Sequence, residues 1–533
     1  MSFTASFLPY GQTGFFSKIV LDYINQEESI QGFYKHPVSI EGVKAAINER
    51  KNFDTNRTLL SATLKKQYSG LQTSPSVNHS LESLLSPNTF TVCTAHQPNI
   101  FTGHLYFIYK ILHTIKLADR LNNEITNSHF VPVYYMGSED ADLEELGHIY
   151  VNGDKHEWTT TQTGAVGRMK VDKALVKMLG QVEGQLDVYP YGREILSVMT
   201  EFYTEGQSIQ QATFQLVNKM FADYGLLIVL PDNADLKRSF KQTIERELMD
   251  AFSHTAVEEV ISKFPASYKA QASGREINMF YLSDGKRERI EQVNDKWQVV
   301  NTELEFSQQE LINELNEYPE RFSPNVILRP VFQEWILPNI AFIGGGGEIA
   351  YWLQLKNVFE SANVPYPLLI VRNSFMVVDK KDHLLMKNLR FGFADIFKSE
   401  LNLMKELVKR DSKLQVTLEK EKAALSSLYD QIKNIASNVD NTLLTHTEAL
   451  QTQALKKIDS LEKKILRAEK KKFDAEQRQL QKIKTHLFPN NNLQERVENI
   501  MPVYAKWGKS FFDAIYQNSL TLEQQFAIIS ETE

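Results

Sequence analysis

The 533-residue sequence contains one cysteine, Cys93, so no disulfide can form within the chain. A single cysteine fits a reducing compartment. Cys93 lies in the apolar stretch Val92-Cys93-Thr94, which predicts a small buried side chain rather than a nucleophile. There is no CxxC pair, and no serine–histidine–aspartate order is readable, so neither dithiol nor triad chemistry is expected.

Long apolar runs are also missing. No stretch of about 18 apolar residues occurs, and the first residues lack the basic segment and apolar core of a signal peptide. The formal net charge is −7, which does not favour nucleic acid as a partner. We therefore expect a cytoplasmic protein that binds neither nucleic acid nor a membrane.

Glycine and proline are scarce in residues 380–484, where Gly392 is the only one of either type. Leucine, isoleucine and valine recur there at three- and four-residue steps, with an interruption at 438–441. This pattern predicts an antiparallel coiled-coil hairpin over 380–486, with arms of about 45 residues, roughly 65 Å each. Lysine pairs in the second arm are interpreted as a solvated face. Residues 487–533 are expected to form a helical tail that packs back on the core.

Residues 1–379 show the alternation of an α/β protein. A strand, a polar turn and an amphipathic helix are predicted over 91–120, and a second strand follows at 130–136. Strand, helix and strand within about 50 residues form a βαβ unit, which indicates a parallel sheet. Further strands are predicted at 226–230, 340–343 and 368–371. We predict a Rossmann-like parallel-sheet core with inserts at about 150–325.

The turn after the first strand carries polar residues where parallel sheets bind ligands, at a strand's carboxyl end and the start of a helix. Gly103 permits close backbone approach, and free N–H groups of the helix can hold an anion. Its candidate binding residues are His96, Gln97, Thr102 and Gly103, and His104 is a candidate contact to phosphate. A structural turn closed by capping side chains explains the same residues equally well.

A second polar region flanks the strand at 340–343. The candidate substrate- or nucleotide-binding residues here are Gln333, Trp335, Gly344, Gly345, Gly346, Gly347 and Glu348, with Glu334 as a candidate catalytic acid. Four consecutive glycines indicate either the cradling of a phosphate or carboxylate, or tight packing. The run is neither a Walker A loop nor a spaced G-x-G-x-x-G fingerprint.

An acidic run follows the second strand and begins with Glu139 and Asp140. His148 lies four residues after Glu144, but no second histidine stands at metal-ligand spacing. A protein-bound metal is therefore not expected, whereas Mg²⁺ brought by a nucleotide is compatible with these acids. A solvated helix start that suits the helix dipole is the simpler interpretation.

Together these stretches resemble the BshC family of bacillithiol biosynthesis over nearly the whole chain. The motifs that carry the resemblance are KIVLDY at 18–23, HQ at 96–97, TG at 102–103, YxxYK at 106–110, PVYYMGSED at 132–140, RPxxQExxLP at 329–338, GGGGEIAYW at 344–352 and QER at 494–496. Gly103-His104 is also similar to part of the His-x-Gly-His signature of class I aminoacyl-tRNA synthetases.

The family resemblance implies a Rossmann-like core related to class I aminoacyl-tRNA synthetases, with connecting-peptide inserts and a coiled coil that forms a homodimer. It implies the addition of L-cysteine to glucosaminyl malate, the last step of bacillithiol biosynthesis. The protein would then be a ligase that forms a carbon–nitrogen bond, with these two small molecules as partners.

Amide formation requires an activated carboxylate, commonly made with ATP as an acyl-adenylate or acyl-phosphate. ATP or ADP, with Mg²⁺, is therefore the suspected cofactor. The first turn, with His104, is expected to stabilise phosphoryl charge. Glu139, Asp140 or Glu334 is expected to bind the cysteine ammonium or to accept the proton of the attacking amine. Two alternatives stay open: a non-catalytic nucleotide-binding coiled-coil scaffold, and a nucleotidyltransferase-like enzyme acting on another substrate.

Overall fold

A computed structural model describes residues 3–272 and 274–532, which fall into two units. The first unit holds the described residues up to Val377 together with Asn492–Thr532, and the second is Val378–Asn491.

The strands, in chain order, are β1 (Phe3–Leu8), β2 (Thr89–His96), β3 (His129–Met136), β4 (His148–Val151), β5 (Asp154–Glu157), β6 (Leu227–Val229), β7 (Met279–Ser283), β8 (Lys286–Val293), β9 (Lys296–Val299), β10 (Glu305–Phe306), β11 (Phe322–Pro324), β12 (Asn339–Gly344), β13 (Leu368–Val371), β14 (Phe375–Val378) and β15 (Phe526–Glu531).

The α-helices are α1 (Lys18–Ile24), α2 (Ile40–Lys51), α3 (Arg57–Gln67), α4 (Pro75–Ser83), α5 (Leu105–Glu124), α6 (Leu143–Leu146), α7 (Lys173–Leu186), α8 (Gly192–Phe202), α9 (Ile209–Phe221), α10 (Ala234–Ser239), α11 (Lys241–Asp250), α12 (Phe252–Ile261), α13 (Gln308–Glu317), α14 (Arg329–Ile336), α15 (Gly346–Trp352), α16 (Lys356–Ser361), α17 (Lys380–Leu389), α18 (Glu400–Asp411), α19 (Glu419–Val439), α20 (Leu443–Lys470), α21 (Asp474–Leu487), α22 (Ile500–Trp507) and α23 (Lys509–Asn518). Within the described part of the chain, no helix is both long and apolar enough to span a bilayer.

The core of the first unit is a parallel sheet with the strand order β13-β12-β2-β3-β6. Every residue of β2 is buried, as expected for a strand covered on both faces. The chain runs from β2 outward to β3 and β6 on one side, whereas β12 and β13 lie on the other side. The crevice between the carboxyl ends of β2 and β12 is therefore a topological switch point, where open α/β sheets bind ligands. The predicted Rossmann-like core is confirmed.

The region from 150 to 325 differs from the prediction that it consists of inserts. Its strand β6 pairs with β3 and belongs to the core sheet, while β7 to β11 form a separate antiparallel sheet with the order β10-β9-β8-β7-β11. The apolar run at 226–230 predicts a strand but does not reveal its partner, because buried parallel strands have similar sequences.

The carboxyl-terminal tail is not wholly helical. After α22 and α23 it ends in β15, which pairs antiparallel with β1 along its whole length and lies beside β14. The pairing joins the two ends of the chain, so no local turn signal announces it.

The second unit contains a helical hairpin in which α19 and α20 pack together across a short break at residues 440–442. The first arm is 21 residues, roughly 32 Å, rather than the predicted 45. The arm is shorter because α18 ends at Asp411 and α19 begins only at Glu419. That interruption carries no glycine or proline and was not readable from composition.

A buried ion pair links α2 to α14 in the first unit, next to the start of β12. Arg50 donates to Glu334 Oε2 at 2.9 Å and to the carbonyl oxygens of Glu334 and Asn339 at 2.8 and 2.9 Å. The Asn339 side chain donates to Glu334 Oε1 at 2.8 Å. Since both charged side chains are almost completely buried, neither can exchange its partner for water.

Glu334→Ala should lower the free energy of unfolding by about 3–5 kcal/mol, because it leaves the Arg50 guanidinium buried without a counter-ion. Chemical denaturation measures the change. The matched control is Glu49→Ala, which removes a carboxylate that is 26% exposed and paired with Lys35 and His36, and this should cost no more than about 1 kcal/mol. Equal losses in the two variants would contradict the structural role of Glu334.

Candidate functional site

A cavity of about 680 Å³ lies in the first unit at the carboxyl ends of the parallel strands. Residues at or just after the carboxyl end of each strand line the cavity. They are His96 and Gln97 at β2, Asp140 after β3, Pro231 after β6, Glu348 after β12 and Arg372 after β13. The cavity therefore occupies the predicted position, at the edge where the crevice between β2 and β12 opens.

The other walls bring arginines. Arg287 comes from β8 of the antiparallel sheet, Arg329 from the start of α14 and Arg496 from the tail. Arg275 and Arg372 also line the cavity. A guanidinium carries a permanent charge and several fixed donors, which suits carboxylate and phosphate groups.

Two of these arginines are held by neutral groups. Arg329 donates to the Tyr351 hydroxyl at 2.6 Å, and Arg287 donates to Ser323 Oγ at 3.2 Å and lies 3.9 Å from the ring centre of Phe280. Among the residues described, neither forms an ion pair. Their charges are thus available to an anionic ligand.

Three acids of the cavity, Glu139, Asp140 and Glu348, in contrast, already have partners. Glu139 pairs with the buried Lys237 and accepts from Ser323 Oγ at 3.1 Å. Asp140 accepts from the Gln97 amide at 3.0 Å. Asp140 is only partly buried, so it is the acid better placed to meet a ligand's ammonium or amine.

Lys110 and Glu348 form a second ion pair, at 2.6 Å, where α5 meets α15. Burial lowers the pKa of Lys110, and the attraction of Glu348 opposes that shift. Glu348 also accepts the Gly345 N–H at 2.8 Å, so its carboxylate joins α5 to the glycine run.

His96 is a buried, uncharged imidazole. Burial and the nearby Lys110 hold its pKa well below the usual range, and its ring packs on Tyr106 and Phe107 at 5.3 and 5.1 Å between centres. Its Nε2 atom has no hydrogen-bond partner among the described residues. His96 therefore offers a neutral hydrogen-bonding group to the cavity rather than a charge.

Thr102, Gly103 and His104, which were predicted to bind a ligand, lie outside the cavity wall, because the tail covers this part of the turn. His104 Nδ1 contacts the Val497 carbonyl at 2.9 Å. The first amide of α5, at Leu105, donates to the Glu498 carbonyl at 2.8 Å. None of the three predicted residues is part of the cavity wall described above. The structural-turn alternative holds for them.

Asn499 completes this cover. Its side-chain amide donates to the carbonyl oxygens of Phe101 and Gly103. Gly103 has a φ of +63°, and a Cβ there would lie 2.6 Å from Asn99 Cβ. The glycine is therefore required by the turn itself.

Glu334 and Trp335 were also misplaced by the sequence-based prediction. Both lie in α14, next to the amino end of β12, and therefore at the opposite end of that strand from the cavity. Burial raises the pKa of Glu334 to about 7, a value suited to a general base, yet its side chain is 0% exposed and is bound by Arg50. Trp335 packs on Phe53 and Phe240.

Gln333 acts through a neighbour. Its Oε1 accepts from Arg329 at 3.3 Å, and its amide donates to Glu334 Oε1 at 2.9 Å. It is buried and positions Arg329 from behind, whereas the prediction gave it a direct contact to the ligand.

The tetraglycine is divided between two roles. Gly344 ends β12, where a Cβ would lie 2.8 Å from the Phe342 ring, so tight packing explains it. Gly345, Gly346 and Gly347 line the cavity together with Glu348. The Gly345 N–H is already donated to Glu348, so this amide does not cradle a phosphate.

One group of side chains with metal-ligand spacing occurs among the described residues, and it lies in the second unit. Its ligand atoms, from Asp379, Asp382 and His486, are within 4.8 Å of one another. Asp382 pairs with His486, and Asp379 caps α17. These contacts tie α21 to α17, and the sequence prediction did not single them out.

The arginines are the site residues that the prediction left without a role. Arg329 and Arg496 belong to the motifs at 329–338 and 494–496, which carried the family resemblance. Arg287 stands in a hairpin strand among other charged residues, so nothing in the sequence marked it.

Two family models together match almost the whole chain: "Bacillithiol biosynthesis BshC, N-terminal Rossmann-like domain" over residues 4–373 and "Bacillithiol biosynthesis BshC, C-terminal coiled-coil domain" over 375–531. A protein of Flavobacterium johnsoniae, named "Putative cysteine ligase BshC", is 36% identical over 525 residues, covering 98% of this chain and 99% of the relative. Proteins of the same name from Christiangramia forsetii and Cytophaga hutchinsonii are 35% and 36% identical, covering 98% and 91% of both chains.

A solved structure is also similar in part, the "putative arginyl t-RNA synthetase from Campylobacter jejuni". It is 10% identical with a TM-score of 0.24, covering 80% of this chain and 99% of that chain. A similarity at this level carries no argument about this protein.

Gly103→Ala should lower the free energy of unfolding by more than about 1 kcal/mol, since the left-handed φ and the contact with Asn99 both oppose a side chain. Gly347→Ala is the matched control: nothing lies within 4 Å of its Cβ position, and alanine favours a helix by about 0.5–1 kcal/mol. Thermal denaturation compares the two variants. A tolerated Gly103→Ala would show that the turn does not need its glycine.

Proposed function

The chain belongs to the BshC family of bacillithiol biosynthesis, and on that premise we propose that it is a cysteine ligase that adds L-cysteine to glucosaminyl malate. The reaction is the last step of bacillithiol biosynthesis. It forms an amide bond between the cysteine carboxyl carbon and the sugar amine.

The observation that carries this proposal is the surplus of arginine charge in the cavity. Malate brings two carboxylates, and Arg287 and Arg329 are guanidinium groups without an ion-pair partner among the described residues. The cavity of about 680 Å³ falls within the range of roughly 300–1,000 Å³ usual for small-molecule sites. Both features favour a substrate that is anionic and larger than an amino acid.

The acid side of the cavity suits the amine chemistry. As the sugar nitrogen forms its bond to the cysteine carbonyl carbon, it must lose a proton. Asp140 is partly exposed to the cavity and held by Gln97, so it is the proposed acceptor of that proton. Glu139 is the proposed partner of the cysteine ammonium, although its pairing with Lys237 reduces its free charge.

We also propose that a nucleotide, ATP or ADP with Mg²⁺, takes part. When bound, ATP supplies the leaving group that a carboxylate itself lacks. The arginine donors fit its phosphates, as they fit carboxylates. The protein's own contribution would be to hold the two substrates in line and to neutralise developing charge.

Thiol profiling of a strain lacking this gene tests the function directly. Loss of bacillithiol with accumulation of glucosaminyl malate supports the ligase. A normal bacillithiol level in that strain would contradict the ligase function and favour an enzyme that acts on another substrate. Nucleotide binding without binding of cysteine or glucosaminyl malate in calorimetry would favour the non-catalytic nucleotide-binding scaffold.

Asp140→Asn should lower kcat/KM for bacillithiol formation at least about tenfold, because the amide cannot accept a proton. The matched control is Asp142→Asn, in the same acidic run: Asp142 is exposed, caps α6 and does not line the cavity. That variant should stay within about twofold of the parent, since asparagine also caps helices. Product is measured by mass spectrometry. Equal rates in both variants would exclude Asp140 as the acceptor.

We propose that the second unit forms a homodimer. Apolar side chains of α19 recur at four- and three-residue steps and are 40–78% exposed: Leu428, Ile432, Ile435 and Val439. Such a stripe is the seam of a coiled coil, which a second copy would cover.

The double variant Leu428→Glu/Ile435→Glu should raise the dimer dissociation constant at least about tenfold, because the seam would have to bury two carboxylates. Sedimentation velocity measures the association. Val188→Glu is the control, since this residue is 74% exposed but lies in the first unit. A parent protein that sediments as a monomer would contradict the dimer.

A further inference from the structure

The tail places a second cation beside Arg372 at the cavity wall. Arg496 lies in the short segment between Leu493 and Val497, and both arginines line the cavity together with Tyr106. The Arg372 guanidinium lies 5.0 Å from the Tyr106 ring centre. Burial and the neighbouring Arg372 both lower the pKa of Arg496, so the two charges are near enough to repel each other.

Both terminal nitrogens of the Arg372 guanidinium bond to neighbouring protein groups, whereas its Nε does not. One terminal nitrogen pairs with Glu495 at 2.7 Å, and the other donates to the Asn373 carbonyl at 2.9 Å and to Ser374 Oγ at 3.1 Å. Its Nε is buried and, among the described residues, has no hydrogen-bond partner. A Cβ built at Gly345 would lie 3.7 Å from this Nε, so the missing side chain keeps the donor approachable.

Arg496 is less satisfied still. Its Nε is also buried without a partner, and it forms no ion pair with any residue that the structure describes. A buried donor left unbonded destabilises the fold, and more so when the group is charged. Two such donors in one wall suit an acceptor supplied by a ligand, because neither has one among the described residues.

Two carboxylates that contact this wall, Glu495 and Glu348, are bound by other groups. Glu495 is fully buried, and while one of its oxygens pairs with Arg372, the other accepts the Phe375 N–H at 3.0 Å. Glu348 accepts from Lys110 and from the Gly345 N–H. Neither carboxylate is therefore available to Arg496, which forms no ion pair among the described residues.

We propose that Arg496 and Arg372 form an anion-binding subsite for a ligand group with two or more anionic oxygens. This chemistry has two sources in the proposed reaction, the malate carboxylates of the acceptor and the phosphates of a nucleotide. The identity of the ligand rests on the proposed function, whereas the subsite itself rests on the two unbonded donors.

Arg496→Gln tests the subsite because it removes the charge and retains a polar side chain. Isothermal titration calorimetry measures the affinity of the full-length protein and the variant for glucosaminyl malate and, separately, for ADP. Affinity for at least one of the two should fall about tenfold or more, which matches the loss of a hydrogen bond to a charged group. A fall for glucosaminyl malate assigns the carboxylates, and a fall for ADP assigns the phosphates.

Two further variants keep the test interpretable. Arg193→Gln is the charge-matched control, since the Arg193 side chain is 88% exposed, and it should leave both affinities unchanged. Arg496→Lys retains the charge but lacks the planar guanidinium, so its affinity for the same ligand should fall several-fold. This variant replaces Arg496→Gln in the test if Arg496→Gln melts at a lower temperature than the parent. Affinities within twofold of the parent for both ligands, or an equal fall with Arg193→Gln, would overturn the subsite.

The subsite and the ligase can fail separately. If either ligand binds in an Arg496-dependent way but no bacillithiol forms, the subsite is supported and the ligase function is contradicted. If the parent protein forms bacillithiol but its ligand affinities do not depend on Arg496, the ligase function is supported and the subsite is contradicted.

Discussion

The buried ion pair between Arg372 and Glu495 is the contact on which the site depends most. It joins the end of β13 to the tail, across 123 positions of sequence. Because Glu495 is fully buried and also accepts the Phe375 N–H, it cannot leave without exposing two unpaired groups. Gln494 adds a bond to the Val377 N–H at 3.1 Å. The tail is therefore held in register residue by residue.

The fixed position of Glu495 determines where the residues that follow it lie. With Glu495 fixed, Arg496 lies at the cavity wall, and Val497 to Asn499 cover the turn before α5. The packing of the tail thus adds the Arg496 cation to the cavity wall. It also occupies the first amide of α5, which donates to the tail and not to a ligand. The start of α5, which the sequence predicted as an anion site, is covered by the backbone of the tail. The arginines of the cavity are therefore the donors that we propose for an anionic ligand.

The sequence predicted the fold and the position of the site better than the identity of its residues. Hydrophobic runs and a βαβ spacing are local signals, and they indicated β2, α5 and β3 correctly. The same signals placed a site at the strand ends, where His96, Gln97, Asp140 and Glu348 do line the cavity. His104 and Glu334 failed because their partners are distant: Val497 is 393 positions from His104, and Arg50 is 284 positions from Glu334.

Glu334 and Arg496 show why polar residues in a shared motif need a structure to be interpreted. Both are ionisable residues in sequence motifs of this family, and burial shifts the pKa of each. Glu334 has a buried guanidinium and two amides around it, so its bonds are complete without a ligand. Arg496 lacks a counter-ion among the described residues and faces a cavity. Completeness of hydrogen bonding, rather than the shift in pKa, distinguishes the residue that stabilises the fold from the residue that we propose binds a ligand.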